Sequence, residues 1–505
     1  MLARVVTFAI DGLEPRRVTV EIDVRPGLPS FTIVGLADRA VREARERVRA
    51  AVLNAGFDFP LRRVTVNLAP ASLRKSGPGF DLAIACAVLA AAGHVPAEAL
   101  ERFAIFGELA LDGEVRACGG SLAVAEGARR AGLEGLVVPL DRVPEAELVD
   151  GVDVAGVETL ADLAGVLRGE GRRAPREPVR AARCARHLDL ADVHGHADVV
   201  GALTVAAAGG HNVLLSGPPG VGKTMLARRL PSILPPLDRP EAIEVTRIHS
   251  IAGTHEGDGL MIERPFRAPH HTISPSGLVG GGSRPAPGEA SLAHRGVLFL
   301  DELSEFSRAA LEALRQPLED GRVAVVRGQR MAILPTRFML VAATNPCPCG
   351  HAPSRRCRCT EADLSRHRRK LSGPLVDRID LLVAVQRPPR EDLERDAATS
   401  SVAERERVIA ARRRQAARLE GTGATCNAQM DRALLRSRLG LDANAEAPLY
   451  QAYARGDLSA RGRDRTLRVA RTIADLHDDD SVRREHVVAA LGYRHDADVV
   501  PEAVA

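Results

Sequence analysis

One segment constrains the fold of this 505-residue chain more than any other. The apolar run HNVLLS at 211–216 leads directly into the glycine-rich sequence GPPGVGKT at 217–224, and the helical pattern MLARRL follows at 225–230. A strand, a glycine loop and a helix in this order form a P-loop, whose backbone N–H groups turn inward to hold phosphates. The sequence therefore predicts a nucleotide site at the edge of a parallel α/β sheet.

The loop itself supplies the predicted nucleotide ligands. Lys223 adds a point charge near the β and γ phosphates, and the hydroxyl of Thr224 is suited to bind Mg²⁺. ATP and Mg²⁺ are therefore the expected cofactors. The predicted nucleotide-binding residues are Gly217, Pro218, Pro219, Gly220, Val221, Gly222, Lys223 and Thr224.

Two further strands complete the predicted catalytic set. The apolar strand GVLFLDE at 296–302 ends in Asp301, expected to hold the metal, and Glu302, expected to orient or deprotonate the attacking water. The next strand, RFMLVAATN, ends on Asn345, whose amide would reach the γ-phosphate or that water. Polar strand ends are commonly ordinary turn chemistry, but their order after a P-loop favours catalysis.

The apolar patterns divide the chain into roughly three domains, as its length also suggests. Alternating runs mixed with helical patterns predict an α/β domain over 1–167, and a Gly-, Pro- and Arg-rich stretch predicts a linker over 168–187. Short apolar strands alternating with helices predict an α/β core with a parallel sheet over 188–385. Charged amphipathic patterns predict a helical lid over 386–505.

Composition narrows the class of protein. No run approaches the roughly 20 apolar residues that span a membrane, and the amino terminus lacks a secretory pattern. We therefore expect a cytoplasmic protein with no membrane partner, whose cysteines do not form a small disulfide framework. A net charge of +4 permits nucleic-acid binding without arguing for it.

Several long motifs carry a resemblance to a known family. Beside GPPGVGKTML they are FRAPHHTIS at 266–274, GGGSRPAPGEASLAHRGVLFLDE at 280–302, ATNPCPCG at 343–350 and LSGPLVDRIDL at 371–381. With these motifs the chain resembles, nearly end to end, the competence-associated magnesium-chelatase-like AAA+ ATPases of the ComM/YifB type. The resemblance implies a hexameric ring with DNA-dependent ATPase and branch-migration activity during recombination of incoming DNA.

The same resemblance suggests roles for arginines outside the P-loop. Arg378 in LVDRIDL would be the arginine finger that reaches into the active site of a neighbouring subunit. The sensor 2 arginine of the lid is best placed at Arg461, with Arg465 as a second candidate. The alternative for either lid arginine is a solvated helix face.

The first domain resembles the Lon-protease-like, ribosomal S5 domain 2-like fold. The resemblance rests on KSGPGFDLAIACAVLAAAG at 75–93 and GELALDGEVRACGG at 107–120. Lon-type proteolysis uses a serine and a lysine, and these positions fall here on Gly79 and Leu122. We therefore expect this domain to be inactive as a protease.

One hairpin is the main candidate for DNA contact. GRVAVVRGQRMAILP at 321–335 predicts two strands with Arg327 and Arg330 at the tip, where they would grip phosphates without reading sequence. An exposed turn with solvated arginines fits the sequence equally well. Because aromatic residues make up only 3% of the chain, base stacking is poorly supported, and any DNA binding should be sequence-independent.

Four cysteines crowd into one loop after Asn345. The C-x-C, seven residues, C-x-C spacing offers enough thiolates for tetrahedral zinc, although C-x2-C pairs are more typical. Reduced loop thiols are the alternative to a structural zinc site. The candidate ligands are Cys347, Cys349, Cys357 and Cys359.

The stretch 278–291, with His270 and His271 before it, is ambiguous. A second phosphate loop is not supported, because no helical pattern follows the glycines at the right place. A histidine metal site is not supported either, because adjacent side chains point in different directions on most backbones. We expect an insertion that moves with nucleotide state.

Three functions remain open at this point. The first is an ATP-driven ring motor acting on DNA, branched or single-stranded, with helicase or branch-migration activity. The second is a protein-remodelling or magnesium-chelatase-like ATPase with a protein client. The third is a scaffold that binds ATP with negligible turnover, and the presence of Glu302, Asn345 and Arg378 argues against it.

Overall fold

The computed structural model describes most of the chain. The described residues are 2–36, 38–170, 188–255, 259–281, 286–327, 330–352, 354, 356–371, 375, 378–394, 399–456 and 458–494. They form two large sheets and three two-stranded ribbons, with helices packed around them and a helical carboxyl-terminal region, so the predicted mixed α/β class is confirmed. No helix of this part is long and apolar enough to span a bilayer.

The amino-terminal region is built on a seven-stranded mixed sheet in the order β3-β4-β2-β1-β5-β8-β9. A two-stranded ribbon, β6 and β7, lies beside it. The strands are β1 Leu2–Asp11, β2 Glu14–Arg25, β3 Ser30–Val34, β4 Arg63–Ala69, β5 Phe103–Ile105, β6 Glu108–Leu109, β7 Val115–Arg116, β8 Gly135–Pro139 and β9 Asp153–Val157. The helices are α1 Arg39–Asn54, α2 Asp81–Ala91, α3 Ser121–Arg130, α4 Val143–Ala146 and α5 Leu160–Arg168.

Alternation along the long strands explains how this sheet buries its faces. In β2, Val18, Val20 and Ile22 are fully buried, and the polar residues between them are less so. One apolar cluster joins the sheet to α1, α2 and α5, and a second joins it to α3 and α4. Both faces of the sheet are therefore covered by helices.

The central region contains a five-stranded, wholly parallel sheet in the order β11-β14-β17-β10-β18. Its three middle strands are apolar and almost wholly buried, as expected of a parallel sheet covered on both faces. The strands of this region are β10 Val213–Ser216, β11 Phe266–Arg267, β12 Gly280–Gly281, β13 Ala286–Pro287, β14 Val297–Leu300, β15 Arg322–Arg327, β16 Arg330–Pro335, β17 Met339–Thr344 and β18 Leu381–Ala384.

Short helices connect these strands. They are α6 Ala197–Gly209, α7 Lys223–Ala227, α8 Leu230–Ile233, α9 Arg239–Ile251, α10 Pro275–Val279, α11 Glu289–Leu292, α12 Arg308–Ala313, α13 Arg315–Asp320, α14 Glu361–Leu371 and α15 Arg390–Leu393. Because the five strands of the central sheet are parallel, all their carboxyl ends lie at one edge of that sheet, where ligands of such folds bind.

The carboxyl-terminal region is helical, as predicted. Its helices are α16 Ser401–Arg418, α17 Arg432–Arg438, α18 Ala447–Ala454, α19 Ala460–Leu476 and α20 Arg484–Gly492. Helices α16 and α19 pack against α6, and their apolar residues belong to the same cluster as strands of the parallel sheet. The predicted boundaries at 167, 187 and 385 stay predictions, and residues 171–187 of the predicted linker lie outside the described residues.

The predicted hairpin is present and contacts the amino-terminal region. Strands β15 and β16 pair antiparallel from Arg322 opposite Pro335 to Arg327 opposite Arg330. Leu13, in the turn between β1 and β2, is buried in a cluster with residues from both hairpin strands and from α9. The hairpin is therefore packed against the turn between β1 and β2, from its base as far as the pair Val325 and Ala332.

A buried polar contact also joins the two regions. The Ser250 hydroxyl at the end of α9 donates to the Glu145 carboxylate at 2.5 Å, and it accepts from the Gly120 N–H at 2.8 Å. The Leu122 N–H donates to the same carboxylate oxygen at 2.8 Å. Since Glu145 is 2% exposed, separating these partners would leave a buried charge with fewer hydrogen bonds.

The two positions that differ from the Lon pattern, Gly79 and Leu122, both lie in tightly packed surroundings. A side-chain carbon added to Gly79 would lie 2.4 Å from the Phe106 ring, and Leu122 is fully buried in the apolar cluster beside α3. Lys75 is also buried, and its ammonium donates to the carbonyl of Pro70. A serine at position 79 would therefore have to displace the Phe106 ring.

A buried carboxylate holds the carboxyl-terminal helices together. Asp475 in α19 is fully buried and accepts from two guanidinium nitrogens of Arg418 at 2.7 Å. It also accepts from Arg471 at 2.9 Å and from the Asn427 amide at 2.8 Å. Its charge is thus matched by donors from three segments.

Asp475→Ala should destabilise this region, because two arginines would lose their buried counter-charge. Removing one partner of a buried ion pair costs about 3–5 kcal/mol. We expect a clear fall in the lowest thermal unfolding transition, measured by calorimetry, with Glu485→Ala on the exposed surface of α20 as the control. Equal transitions in the two variants would contradict this account.

Candidate functional site

The parallel sheet brings three predicted segments to one edge. Strand β17 lies between β14 and β10, and each of the three runs directly into predicted site residues. Asp301 follows β14, Asn345 follows β17, and the P-loop follows β10. Residues more than 100 positions apart in the sequence therefore meet at this edge.

Lys223 lies at the centre of this edge. Its ammonium donates to the Asn345 side-chain oxygen at 3.0 Å and to the carbonyls of Gly217 and Pro218 at 2.6 and 2.8 Å. Burial lowers the pKa of Lys223, and the nearby charges of Asp301 and Glu302 oppose that shift. The P-loop and the end of β17 are thus joined through one side chain.

Thr224 and Asp301 form a second link across the sheet edge. The Thr224 hydroxyl donates to the Asp301 carboxylate at 2.7 Å. A hydroxyl and a carboxylate side by side are the hard oxygen ligands that Mg²⁺ prefers. The donor set therefore fits the predicted magnesium ion.

The glycines of the loop are required by its shape. A side-chain carbon at Gly217 would lie 2.1 Å from the Val385 carbonyl oxygen, so only glycine fits there. Gly220 and Gly222 have φ of +77° and +93°, in the left-handed region that favours glycine. Backbone turns of this kind form the anion-binding concavities of P-loops.

Glu302 has an unusual backbone and an unexpected neighbour. Its φ of 51° and ψ of 50° are rare for a residue with a side chain, and such conformations concentrate at functional sites. The Nδ1 atom of His271 lies 3.6 Å from its carboxylate. The carboxylate is 59% exposed, so it is accessible to water.

The expectation that His270 and His271 point in different directions was wrong. Their ring centroids lie 4.1 Å apart, because a turn in which Ile273 N–H donates to the His270 carbonyl brings successive side chains together. The His271 ring faces the Glu302 carboxylate. Residues 282–285 of the following glycine-rich stretch lie outside the described residues.

The four predicted cysteines converge. All four sulfurs lie within 4.8 Å of one another, and Cys347 is 3.4 Å from Cys349 and 3.8 Å from Cys357. Around a tetrahedral zinc with bonds of 2.3 Å, sulfurs would be about 3.8 Å apart. Backbone N–H groups of Arg358 and His351 lower the pKa of the Cys349 thiol to about 6, whereas burial raises the pKa of the Cys359 thiol to about 12.

The cysteine loop lies against the P-loop. Gly350 adopts φ of +78°, and a side-chain carbon there would be 2.6 Å from the Pro219 ring. On the other side, His367 in α14 makes a 2.9 Å hydrogen bond with the Asn345 carbonyl. The cluster therefore borders the same edge as Lys223.

The predicted arginine finger Arg378 and the lid arginines Arg461 and Arg465 do not lie at the edge that holds the P-loop. Arg378 is 9% exposed and pairs with Glu319 at the end of α13. Burial lowers the pKa of Arg378, as do the nearby charges of Arg315 and Arg461. Arg465 lies 3.7 Å from Asp380, directly before β18.

These arginines share the edge opposite the P-loop. Leu381 at the start of β18 pairs with Val213 at the start of β10, whereas the P-loop follows the other end of β10. Arg378 precedes β18, so the structure does not bring it to the P-loop of its own chain. Arg461 is exposed in the first turn of α19, and its charge is close enough to Arg378 to lower the pKa of that residue.

The side chains of the predicted DNA-binding residues Arg327 and Arg330 lie outside the described residues, as does the hairpin tip between them. Only their backbone positions at the end of the β15–β16 ladder are defined.

Sequence reasoning missed three contacts of this site. His271 faces Glu302, His367 holds the Asn345 carbonyl, and Gly350 touches Pro219. The histidine pair was considered only as a metal site, and a histidine within an arginine-rich helix gives no signal of its own. Each contact joins segments that are distant in sequence.

Comparisons with known proteins cover nearly the whole chain. Family models match residues 189–393 as magnesium chelatase, subunit ChlI, residues 20–142 as subunit ChlI of Mg-chelatase, and residues 398–494 as magnesium chelatase, subunit ChlI C-terminal. An uncharacterised protein of Mycobacterium tuberculosis is 48% identical over 98% of both chains. YifB of Escherichia coli and the competence protein ComM of Haemophilus influenzae are each 40% identical over 98% of this chain and 97% of their own.

A shorter match concerns the Lon proteases. Lon protease 2 of Bacillus subtilis is 30% identical over 198 residues, which cover 35% of this chain and 36% of that protein. This match supports the predicted resemblance of the amino-terminal domain to Lon proteases. The full-length matches and the family models show that the chain belongs to the magnesium-chelatase ChlI-like family of AAA+ ATPases that includes YifB and the competence protein ComM.

Proposed function

We propose that this AAA+ ATPase hydrolyses ATP as a ring of identical subunits and uses the energy to move DNA, with six subunits expected from the family resemblance. The observation that carries hydrolysis is the meeting of Lys223 with Asn345, and of Thr224 with Asp301, at one sheet edge. ATP hydrolysis needs a phosphate cradle, a metal ligand and a polarised water at one place.

The chemistry is assigned to side chains as follows. Lys223 and the glycine loop bind the phosphates, and Thr224 and Asp301 hold Mg²⁺, which neutralises phosphate charge when bound. Glu302 accepts a proton from the attacking water, whose oxygen bonds to the γ-phosphorus as ADP leaves. Asn345 orients that water or the γ-phosphate through its amide.

Assembly would complete this site. Arg378 and Arg461 lie near each other on the edge opposite the P-loop of their own chain. We propose that they reach the nucleotide of a neighbouring copy, where a guanidinium stabilises charge developing on the transferred phosphoryl group. Arg378 would leave Glu319 when a neighbour is engaged.

Two observations favour DNA over a protein client as the substrate. One full-length relative bears the name competence protein, which suggests a role with incoming DNA. The hairpin β15–β16 is long, and its sequence carries Arg327 and Arg330 at the turn. Arginines at a tip would contact phosphates of branched or single-stranded DNA without reading bases.

A chelatase-like function is the second candidate. It is favoured by the family models, whose descriptions all name a magnesium chelatase subunit. In that case the ring would remodel a protein client, and DNA would leave its turnover unchanged.

Turnover of the purified full chain tests both candidates. Glu302→Gln should lower ATP turnover by roughly 10²- to 10⁴-fold, the usual contribution of a general base, and should leave ATP binding intact. Lys223→Ala should abolish turnover and weaken binding. The matched control is Glu305→Gln, an exposed carboxylate in the same turn, which should turn over ATP normally.

The same assay is run without DNA and with single-stranded, duplex and branched DNA. Stimulation by DNA, greatest with branched DNA, is the expected result. Lys223-dependent turnover that no DNA changes would contradict the DNA proposal and favour a protein client.

Arg327→Ala with Arg330→Ala should abolish DNA stimulation and leave basal turnover unchanged, because the tip lies at the far end of the hairpin from its buried base. Affinity for DNA should also depend less steeply on salt, since two fewer phosphates would be neutralised per subunit. The control replaces two exposed arginines at the hairpin base, Arg322→Ala with Arg337→Ala. Equal loss in both pairs would contradict a specific role for the tip.

We also propose that the four cysteines bind a structural zinc ion. Sulfur spacings near those of a tetrahedral site support this assignment over reduced loop thiols. A site with four thiolates has no open position, so the metal would not be catalytic.

The purified protein should contain one zinc per chain by elemental analysis. Cys347→Ser with Cys357→Ser should remove the metal, and Cys118→Ser in the amino-terminal region should not. Four fast-reacting thiols and no zinc in protein prepared with the metal would show that the loop is simply reduced.

A further inference from the structure

The cysteine centre does more than stabilise a loop: the geometry points to a direct coupling between it and the nucleotide site. We assign the loop segments 346–352 and 356–359, together with α14, as a positioning element for the P-loop and Asn345. Metal binding and nucleotide binding would then strengthen each other. This inference rests on the proposed ATPase function and on the proposed zinc ion.

The first connection runs through Asn345. This residue lies two positions before Cys347, so a metal held by the cysteine fixes the chain directly after β17. Its side chain accepts from Lys223 at 3.0 Å, and its carbonyl is bonded by His367 at 2.9 Å. Asn345 is therefore held from the P-loop side and from α14 at once.

The second connection runs through Gly350. The Gly350 N–H donates to the Cys347 carbonyl at 2.9 Å, and the Ala352 N–H donates to the Cys347 sulfur at 3.2 Å. This turn presses the Gly350 backbone against Pro219, where even one added carbon would be 2.6 Å from the proline ring. A displacement of Cys347 would therefore also displace the P-loop at Pro219.

The third connection runs through α14, which begins at Glu361, two residues after Cys359. Thr360 and Asp363 cap its start, with bonds of 2.7 and 3.2 Å between them. Its far end returns to the site, where the Lys370 ammonium donates to the Ser304 carbonyl at 3.1 Å, close after Glu302. The metal would join the two ends of a loop that borders the P-loop and the end of β17, and α14 adds the contact after β14.

Closing a loop with a metal removes conformational freedom that the metal-free chain retains. The three connections transmit that restriction to Pro219, Asn345 and Ser304. By thermodynamic linkage, if zinc favours the conformation that binds nucleotide, then nucleotide must favour zinc retention by the same factor. A zinc ion that only stabilised a remote loop would not have this property.

The direct test is the rate at which zinc passes from the full-length protein to a chromogenic chelator. The rate is compared without nucleotide, with MgADP, and with Mg²⁺ and a slowly hydrolysed ATP analogue. We expect nucleotide to slow release by roughly 5- to 150-fold, the usual range of coupling between sites. In an equilibrium competition with the chelator, nucleotide should raise the affinity for zinc, and the metal-depleted protein should bind the analogue more weakly by that same equilibrium factor.

Two variants should break the coupling without removing a cysteine. Gly350→Ala places a methyl group against Pro219, and His367→Ala removes the bond to the Asn345 carbonyl. Each should still bind zinc, and nucleotide should slow its release much less than in the unaltered protein. Arg356→Ala, at an exposed position of the same loop, should retain the full effect.

Nucleotide binding is measured separately with a fluorescent analogue, so the possible failures can be told apart. Nucleotide that binds normally but leaves the rate of zinc release unchanged would overturn the coupling and leave the ATPase proposal standing. If no nucleotide binds, the ATPase proposal falls and the coupling falls with it. A protein without zinc overturns the coupling and leaves hydrolysis to be judged from turnover.

Discussion

The site depends on one register: β17 lies between β14 and β10, and all three end at the same edge. That register places Asn345 beside Lys223 and Asp301 beside Thr224. If β17 were shifted by one residue, its side chains would change faces and Asn345 would point away from the P-loop. Burial of the middle strands on both faces makes such a shift costly, because apolar side chains would lose their packing.

Around this edge the chain adds parts that connect it to the rest of the molecule. The cysteine loop borders the P-loop at Gly350, and Leu13 of the first sheet packs on the base of the hairpin. The buried contact of Ser250 with Glu145 fixes α9 to the same region. The nucleotide edge, the hairpin and the amino-terminal region are therefore joined by packed interfaces, through which the proposed motor would transmit movement.

The sequence alone predicted the fold class, the family and the hairpin, and the structure and comparisons confirm them. These features are coded by contiguous residues: glycines at fixed spacing, apolar runs ending in carboxylates, and turns between alternating strands. The roles of Lys223, Glu302 and Arg378 stay predictions. The contacts of His271 with Glu302 and of Gly350 with Pro219 join segments that are far apart in sequence. Because they depend on how closely the backbones approach each other, no local sequence pattern could predict them.

The central claim is that hydrolysis occurs at a site shared between subunits, with Glu302 from one copy and Arg378 from the next. The most direct measurement is ATP turnover of Glu302→Gln and Arg378→Ala proteins, each alone and after mixing and reassembly. Each variant alone should be inactive. The account predicts that the mixture regains turnover, because some interfaces combine an intact Glu302 with an intact Arg378. A mixture as inactive as its components, in rings shown to contain both, would contradict the shared site.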